Sequence, residues 1–220
     1  MEPPIGEFVY NEPPVQNLER RPMSAEDPFR IAILAMLGLV MGVGVYHRLQ
    51  AAKSGERISR RDEGFWIGVP LRLAGICIWI GSLAYLINPA WMQWSKLPLP
   101  DSLRWVGAPF AAAAITLIYW TMTNLGKNLT DTVVTRTEAT LVTSGPYRWV
   151  RHPFYVCVLL ATVSITLLAA NWFLGLCGLT VFALLVLRTP IEEQKLIDKF
   201  GDRYRTYMAS TGRFWPVRGK

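Results

Sequence analysis

The apolar residues of this chain fall in long unbroken blocks rather than at helical or strand spacing. Five such blocks stand out: Ile31–Tyr46, Phe65–Ile87, Trp105–Met122, Pro153–Ala170 and Trp172–Leu187. Each has 16 to 23 residues. A helix that crosses a bilayer needs roughly 20 apolar residues, or fewer when charged flanks snorkel. The pattern therefore predicts an all-α integral membrane protein with five transmembrane helices. Polar punctuation sets the ends. Asp27-Pro28 reads as a helix start, with Asp27 as cap and Pro28 at the first position. Asn88-Pro89 closes the second block, Pro109 lies near the start of the third, and Asn171 makes a break so tight that the last two helices form a hairpin. Gly38 and Gly42 make a GxxxG, a possible helix-packing face, though glycine is common in membrane helices. The expected organisation is an irregular tail over 1–28, three spans over 29–122, and a third segment over 123–220 that holds helices four and five and a polar tail.

Composition and charge refine this picture. The 220 residues are 51% apolar and 18% charged, and mean hydropathy is +0.24. A disordered chain needs low hydrophobicity and high charge density. Lys and Arg number 23 against 16 Asp and Glu, giving +7. In a soluble chain that excess raises nucleic acid as a partner; here basic loops on the cytoplasmic side explain it better. The segments 47–64, 123–152 and 188–220 share one side and carry seventeen Lys and Arg, against five on the other side and Arg72 within the second span. This bias predicts the N-terminus outside and the C-terminus in the cytoplasm. Residues 1–26 carry five prolines and lack the basic-then-apolar order of a signal peptide. Cys77, Cys157 and Cys177 all lie in apolar blocks with no CxxC, and the two histidines are far apart. Neither a disulfide framework nor a metal site is expected.

Candidate chemistry gathers in two places. One is Gly145-Pro-Tyr-Arg-Trp-Val-Arg-His-Pro-Phe-Tyr155, at the start of helix four. The other is Arg188-Thr-Pro-Ile-Glu-Glu193 with Phe200–Tyr207 and Arg213-Phe-Trp-Pro216, at the end of helix five. A helical hairpin puts these beside each other. Arg188 can hold an anionic group in the fork geometry of a guanidinium. Glu192, four residues on, shares its face if the helix continues past Pro190, and can accept from ribose hydroxyls or pair with an ammonium. His152-Pro153 opens helix four, whose free N–H groups suit a carboxylate or phosphate. A zwitterionic nucleoside cofactor needs that combination. Taken singly, each residue has a plainer reading. HisPro is usually a helix boundary. Arg188 and Arg72 can snorkel, and Glu192 and Glu193 can form a solvated face with Lys195 and Lys199. Trp215 fits an interfacial aromatic belt.

The run Leu141-Val-Thr-Ser-Gly-Pro-Tyr-Arg-Trp-Val-Arg-His-Pro-Phe-Tyr155, followed by Arg188, Glu192, Glu193, Phe200, Gly201, Tyr204, Tyr207, Arg213 and Pro216, resembles the isoprenylcysteine carboxyl methyltransferase family and its phospholipid methyltransferase relatives. Two separated motifs match in order and spacing, over roughly 123–217. The resemblance implies a membrane enzyme that uses S-adenosyl-L-methionine in a cytosolic pocket over the last two helices. It assigns cofactor contacts to Ala139, Thr140, Leu141 and Val142, to Tyr147, to His152, Pro153, Phe154 and Tyr155, and to Glu192. It turns Arg188 toward the acceptor's carboxylate as a clamp. Glu138-Ala139-Thr140 departs from the family, where a histidine or asparagine is common, and leaves backbone groups to meet the adenine edge.

Methyl transfer from a sulfonium is an in-line displacement, so the protein mainly positions its reactants. An ionised carboxylate needs no base. For an amine or thiol acceptor, Tyr155, Glu192 or Glu193 is the candidate for removing the proton. The expected acceptor is a lipophilic small molecule or lipid-modified group, isoprenylcysteine carboxylate-like, met together with membrane lipid. A phospholipid amine or small thiol is the alternative. The short five-span form points to a prokaryotic cell membrane. Two rival classes are an NADPH-dependent membrane reductase of sterol-reductase-like architecture and a non-catalytic membrane protein on the same scaffold.

Overall fold

The computed structural model describes residues 24–52, 65–126 and 140–217. In chain order they form α1 (Asp27–Ala52), α2 (Phe65–Ile87), a 3₁₀ helix (Pro89–Ser95), α3 (Asp101–Trp105), α4 (Gly107–Leu125), a second 3₁₀ turn (Gly145–Arg148), α5 (Pro153–Leu168), α6 (Trp172–Phe200) and α7 (Asp202–Ser210). Among the described residues four helical stretches are long and apolar enough to cross a membrane: Asp27–Ala51, Ile67–Ile87, Asp101–Leu125 and Trp172–Phe200. The block expected as the fourth span forms α5, which ends at Leu168 after 16 residues. At 1.5 Å per residue it is about 24 Å long, short of a hydrocarbon core of about 30 Å.

The helix ends follow local chemistry. The start of α1 differs from a simple Asp27 cap. The Asp27 carboxylate reaches back to accept from the Ser24 N–H at 2.7 Å, while the Asp27 N–H donates to the Ser24 carbonyl at 3.0 Å. Asp27 thus plays the reaching-back part of a capping box whose cap position is Ser24. Asn88 ends α2 and caps the 3₁₀ helix after it, its side chain accepting from the Ala90 N–H. That 3₁₀ helix lay outside the sequence expectation, because seven residues are too few to show a period. Asn171 caps α6 by accepting from the Leu174 N–H at 3.1 Å. Its amide donates to Ser95 Oγ at 2.8 Å and to the Met92 carbonyl, which ties the α5–α6 turn to the 3₁₀ helix.

In the assembled bundle α5 packs between α4 and α6, α2 lies on α6, and α1 lies on α4. One apolar core joins Phe29, Ile33 and Met36 to Tyr85, Ala111, Ile165, Leu168 and Leu174. A second, toward the other end, joins Ala51, Ile118, Met122 and Cys157. Close approach comes from small residues, as membrane helices require. The pair that matters is Gly175 and Gly178 of α6: a Cβ on either would press on Thr166 or Thr162 of α5. Around Gly38 and Gly42 there is open space instead, so the GxxxG of α1 packs nothing among the described residues. The last apolar helix, α6, also runs further than the apolar pattern implied. α6 continues unbroken past Pro190 to Phe200, a run of 29 residues. Its apolar half faces its neighbours, and its polar extension carries Arg188, Glu192 and Glu193 on beyond the core. Lys53, Arg57, Arg60, Arg61, Lys127 and Arg136, which contribute to the charge bias, lie outside the described residues.

Candidate functional site

The site assembles where α5 starts and α6 extends. Upstream, the chain enters through the turn Gly145–Arg148. Gly145 has φ of +59°, and a Cβ there would collide with the Asn124 side chain at the end of α4. Glycine alone meets both demands. The turn delivers Tyr147, half-buried, whose carbonyl accepts from the Tyr207 hydroxyl at 2.5 Å. Burial pushes the Tyr147 phenol above its ordinary value, with the neighbouring Tyr207, Cys157 and Glu192 adding to the effect. Burial likewise pushes Tyr207 up to about 12, against the opposing charge of Arg151. Both phenols are therefore hydrogen-bonding groups at neutral pH, not anions.

The polar centre has two carboxylates with different company. Glu192 accepts from the Tyr155 hydroxyl at 2.5 Å, and lies 3.0 Å from Arg188 Nε and 3.5 Å from His152 Nδ1. These partners are all side chains, drawn from α5, its cap and α6. Glu193, next in sequence, points elsewhere. It accepts from Arg151 Nε at 2.9 Å and from Arg213 Nε and Nη2 at 3.1 and 2.7 Å, with His152 Nε2 at 3.4 Å. The Arg151 guanidinium also donates to the Met208 and Thr211 carbonyls. Glu193 and Arg188 are buried, at 3% and 8% exposure. His152 separates the two carboxylates, one ring nitrogen toward each, and stacks on Tyr155 with centroids 5.1 Å apart and planes at 25°.

A strap from the C-terminal segment closes the other side. The Arg151 N–H donates to the Gly212 carbonyl at 2.8 Å and the His152 N–H to the Arg213 carbonyl at 3.0 Å. Val150 and Gly212 form a parallel bridge. Phe214 then lays its ring 6.0 Å from Tyr155, 5.9 Å from His152 and 6.2 Å from Phe182.

Of the residues expected from sequence, the structure brings together His152, Tyr155, Arg188, Glu192 and Glu193, with Tyr147 within electrostatic reach of Glu192. Pro153 is buried at the first position of α5. Phe154 turns into the second apolar core instead. Thr140 is exposed, Leu141 and Val142 are half-buried ahead of the turn, and Ala139 lies outside the described residues. Sequence reasoning passed over Arg151 and Phe214, and took Arg213 as signature without a partner. A basic residue just before HisPro and another three residues before Pro216 were the available signals, but only folding shows that both converge on Glu193.

The donor set suits a zwitterionic nucleoside: a half-buried carboxylate and a buried phenol for hydroxyls or a cation, a helix start without a side-chain cap for an anion, and flat rings for stacking. Comparison with known proteins finds likenesses of sequence and of fold. A profile of the isoprenylcysteine carboxyl methyltransferase (ICMT) family matches residues 107–198. The protein-S-isoprenylcysteine O-methyltransferase of Homo sapiens is 41% identical over 69 residues, which are 31% of this chain and 24% of that one. The enzyme of the same name from Dictyostelium discoideum is 28% identical over 178 residues, 65% of this chain and 75% of its own. This chain's match thus spans about a quarter of the human relative's length. The solved structure of the eukaryotic intramembrane Ras methyltransferase ICMT superposes with a TM-score of 0.50 over 84% of this chain and 68% of that one, at 19% identity, a likeness of fold. Motifs and sequence matches thus point the same way: residues 107–198 are similar to the isoprenylcysteine carboxyl methyltransferase family, and the solved structure shares the fold.

Proposed function

We propose that the chain is an integral membrane methyltransferase that takes its methyl group from S-adenosyl-L-methionine and gives it to the carboxylate of a lipophilic, isoprenylcysteine-like acceptor. The observation that carries this reading is the pairing of Arg188 with Glu192 one turn apart on an unbroken α6, where Glu192 also holds the Tyr155 hydroxyl at the start of α5. An anion-directing guanidinium and a cation-directing carboxylate are thereby fixed side by side at the edge of an apolar bundle.

S-adenosyl-L-methionine supplies a methyl group already activated by its sulfonium. The chain's residues bind and orient. Glu192, with Tyr155 and His152, holds hydroxyls or the ammonium, and the uncapped start of α5 receives an anionic end. Glu192 lies 3.0 Å from Arg188 Nε as an opposite charge, and the planar fork of the guanidinium can align a carboxylate for in-line attack. The acceptor carboxylate is ionised at neutral pH, and no side chain needs to take a proton. Glu193, with guanidinium donors on both of its oxygens, holds the strap rather than serving as a base. We read the short α5 as a span too, the fourth of five in chain order, because polar clusters at both of its ends let it sit slightly sunk in the bilayer. The charge bias supports an orientation with residues 1–28 outside and 188–220 in the cytoplasm.

The decisive experiment offers labelled S-adenosyl-L-methionine and an N-acetylated S-farnesylcysteine to protein in nanodiscs. Base-labile label in the product supports a methyl ester. Label that resists base points to an amine or thiol acceptor, and binding of NADPH in place of S-adenosyl-L-methionine would overturn the reading. A reporter fused after Lys220 is expected to be active only as a cytoplasmic reporter.

A further inference from the structure

We propose that a cleft at the far end of α5 from the candidate site binds the head group of a phosphoethanolamine lipid, with the lipid's ammonium on Glu26 and its phosphate on Lys96. The cleft lies where the start of α1, the end of α2, the first 3₁₀ helix and the α5–α6 turn meet, and Glu26, Tyr85, Met92, Gln93, Lys96 and Asn171 line it. With 16 residues, α5 holds it about 24 Å from the candidate site, so a lipid bound here is kept and not methylated. Exposed Trp91 and Trp94 flank Met92 and Gln93 in the 3₁₀ helix, and exposed Trp172 follows Asn171. The Trp94 and Trp172 rings meet edge to face, 5.5 Å apart. Tryptophans in such a place lie at the head-group level of a bilayer, which points to a lipid as the source of the ligand.

The two oxygens of Glu26 are occupied unequally. Oε2 accepts from Arg104 Nη2 at 2.6 Å and from the Tyr85 hydroxyl at 2.8 Å. Oε1 meets Arg104 Nη1 at 3.3 Å and Lys96 Nζ at 3.7 Å, the second beyond hydrogen-bond distance. It therefore keeps acceptor capacity for an N–H donor. Lys96 is the partner able to move. Its side chain is 55% exposed, while its backbone is fixed by an antiparallel bridge to Asn171 and by the Leu97 N–H on the Ala170 carbonyl at 2.6 Å. A zwitterion whose ammonium and phosphate are joined by a short linker enters head to tail: the ammonium takes Oε1, Lys96 turns to the phosphate, and one ion pair is exchanged for two. Arg104 and Tyr85 keep their places. Size completes the choice. The cleft volume is about 50 Å³. At about 10–15 Å³ per water, that admits about four non-hydrogen atoms, an aminoethyl group rather than the wider trimethylammonium. A trimethylammonium also has no N–H for Oε1, and a purely anionic head group brings no cation for it.

The test measures dissociation constants of lipid adducts by native mass spectrometry of the full chain. The probes are the dioctanoyl forms of phosphatidylethanolamine, phosphatidylcholine and phosphatidylglycerol, with glycerophosphoethanolamine as the chain-free control. The parent should bind the ethanolamine lipid about tenfold more tightly than either other lipid, the lower end of what one hydrogen bond to a charged group supplies. Lys96→Ala, at an exposed side chain, should weaken that binding about tenfold, and Lys96→Arg should stay within about twofold of the parent. Glu26→Gln should bind the ethanolamine and choline lipids alike. If it does not fold, because Glu26 is also the partner of Arg104, Lys96→Glu carries the test: a carboxylate set against the phosphate should weaken binding more than Lys96→Ala does. A choline lipid that matches the ethanolamine lipid in the parent marks a contact of the aromatic rim alone and overturns the proposal. So does a glycerol lipid that binds as tightly, which marks a plain anion site, or a Lys96→Ala variant with unaltered binding. Glycerophosphoethanolamine binding as tightly as the lipid overturns the lipid as the occupant in favour of a soluble ligand.

Discussion

The two ends of α5 carry clusters built from the same parts, arginines on carboxylates beside a tyrosine, yet put together differently. At the C-terminal end, Arg104 is 4% exposed and pairs with Glu26 at 2.6 Å, donates to the Tyr85 hydroxyl oxygen at 3.1 Å, and lies 3.6 Å over the Phe29 ring. It also donates twice to the Leu168 carbonyl, at 2.9 and 3.2 Å, and so caps α5. At the N-terminal end, Glu192 is held by Tyr155, Arg188 and His152, all through side chains. A cluster anchored on backbone carbonyls has no partner it can release, because an unmatched buried carbonyl is costly. A cluster of side chains alone can trade partners with a ligand. By this criterion Glu193, whose partner Arg151 is itself pinned to the Met208 and Thr211 carbonyls, belongs with Arg104 as a tie that holds structure, although it adjoins Glu192 in sequence.

The contrast can be broken at either end. The largest effect is expected for Arg104→Ala, which leaves Glu26 and the end of α5 without their partner. Stability should fall by about 3–5 kcal/mol, read as thermal unfolding in detergent, while methyl transfer per folded molecule stays near the parent's. Glu193→Gln should destabilise by about 3 kcal/mol, the lower end of that range, since the Arg213 side chain is half-exposed. A stable Glu193→Gln variant with lost turnover would instead make Glu193 a proton-transfer residue and erase the distinction.

The side-chain-only cluster predicts the reverse pattern. Glu192→Gln should weaken S-adenosyl-L-methionine binding by about 2 kcal/mol, as for hydrogen bonds to a charged group, with unfolding little changed. An unaltered dissociation constant removes Glu192 from the cofactor site. Arg188→Lys keeps charge and anchoring but not the planar fork. It should bind the cofactor nearly normally and turn over about tenfold more slowly, which corresponds to about 1.4 kcal/mol. Turnover at the parent rate would favour an acceptor held by shape alone.

The smallest effect concerns pH. Burial raises the Glu26 carboxyl, but hydrogen bonds from Arg104 and Tyr85 and the charge of Lys96 outweigh it and hold the group below its ordinary value. The unfolded chain therefore binds this proton more readily. The resulting stability is complete at neutral pH and fades as pH falls through and below the carboxylate range. Because Glu26 is partly exposed, the loss should stay under about 1 kcal/mol. Comparing acid unfolding of the parent with Glu26→Gln isolates it.

The apolar blocks alone determined where the long helices lie, because nothing but a span or a buried core accommodates some twenty apolar residues without polar punctuation. Asn88 and Asn171 marked their ends for an equally local reason, since a side chain two or three residues from a free N–H caps it whatever else surrounds it. The candidate site was legible as two polar motifs at helix ends, with Arg188 and Glu192 among its candidate residues. Other features depend on partners far away in sequence. The course of α6 past Pro190 is set by packing on its neighbours, where local propensity argues for a break. The close α5–α6 contact came from Gly175 and Gly178, while the more conspicuous Gly38 and Gly42 met no neighbour among the described residues, because glycine spacing does not say which helix will arrive. The different fates of Glu192 and Glu193 could not be read from adjacent identical residues. A helix turns about 100° per residue, so neighbours face different surroundings, and only the tertiary structure decided which carboxylate met the strap and which met the open side of the site.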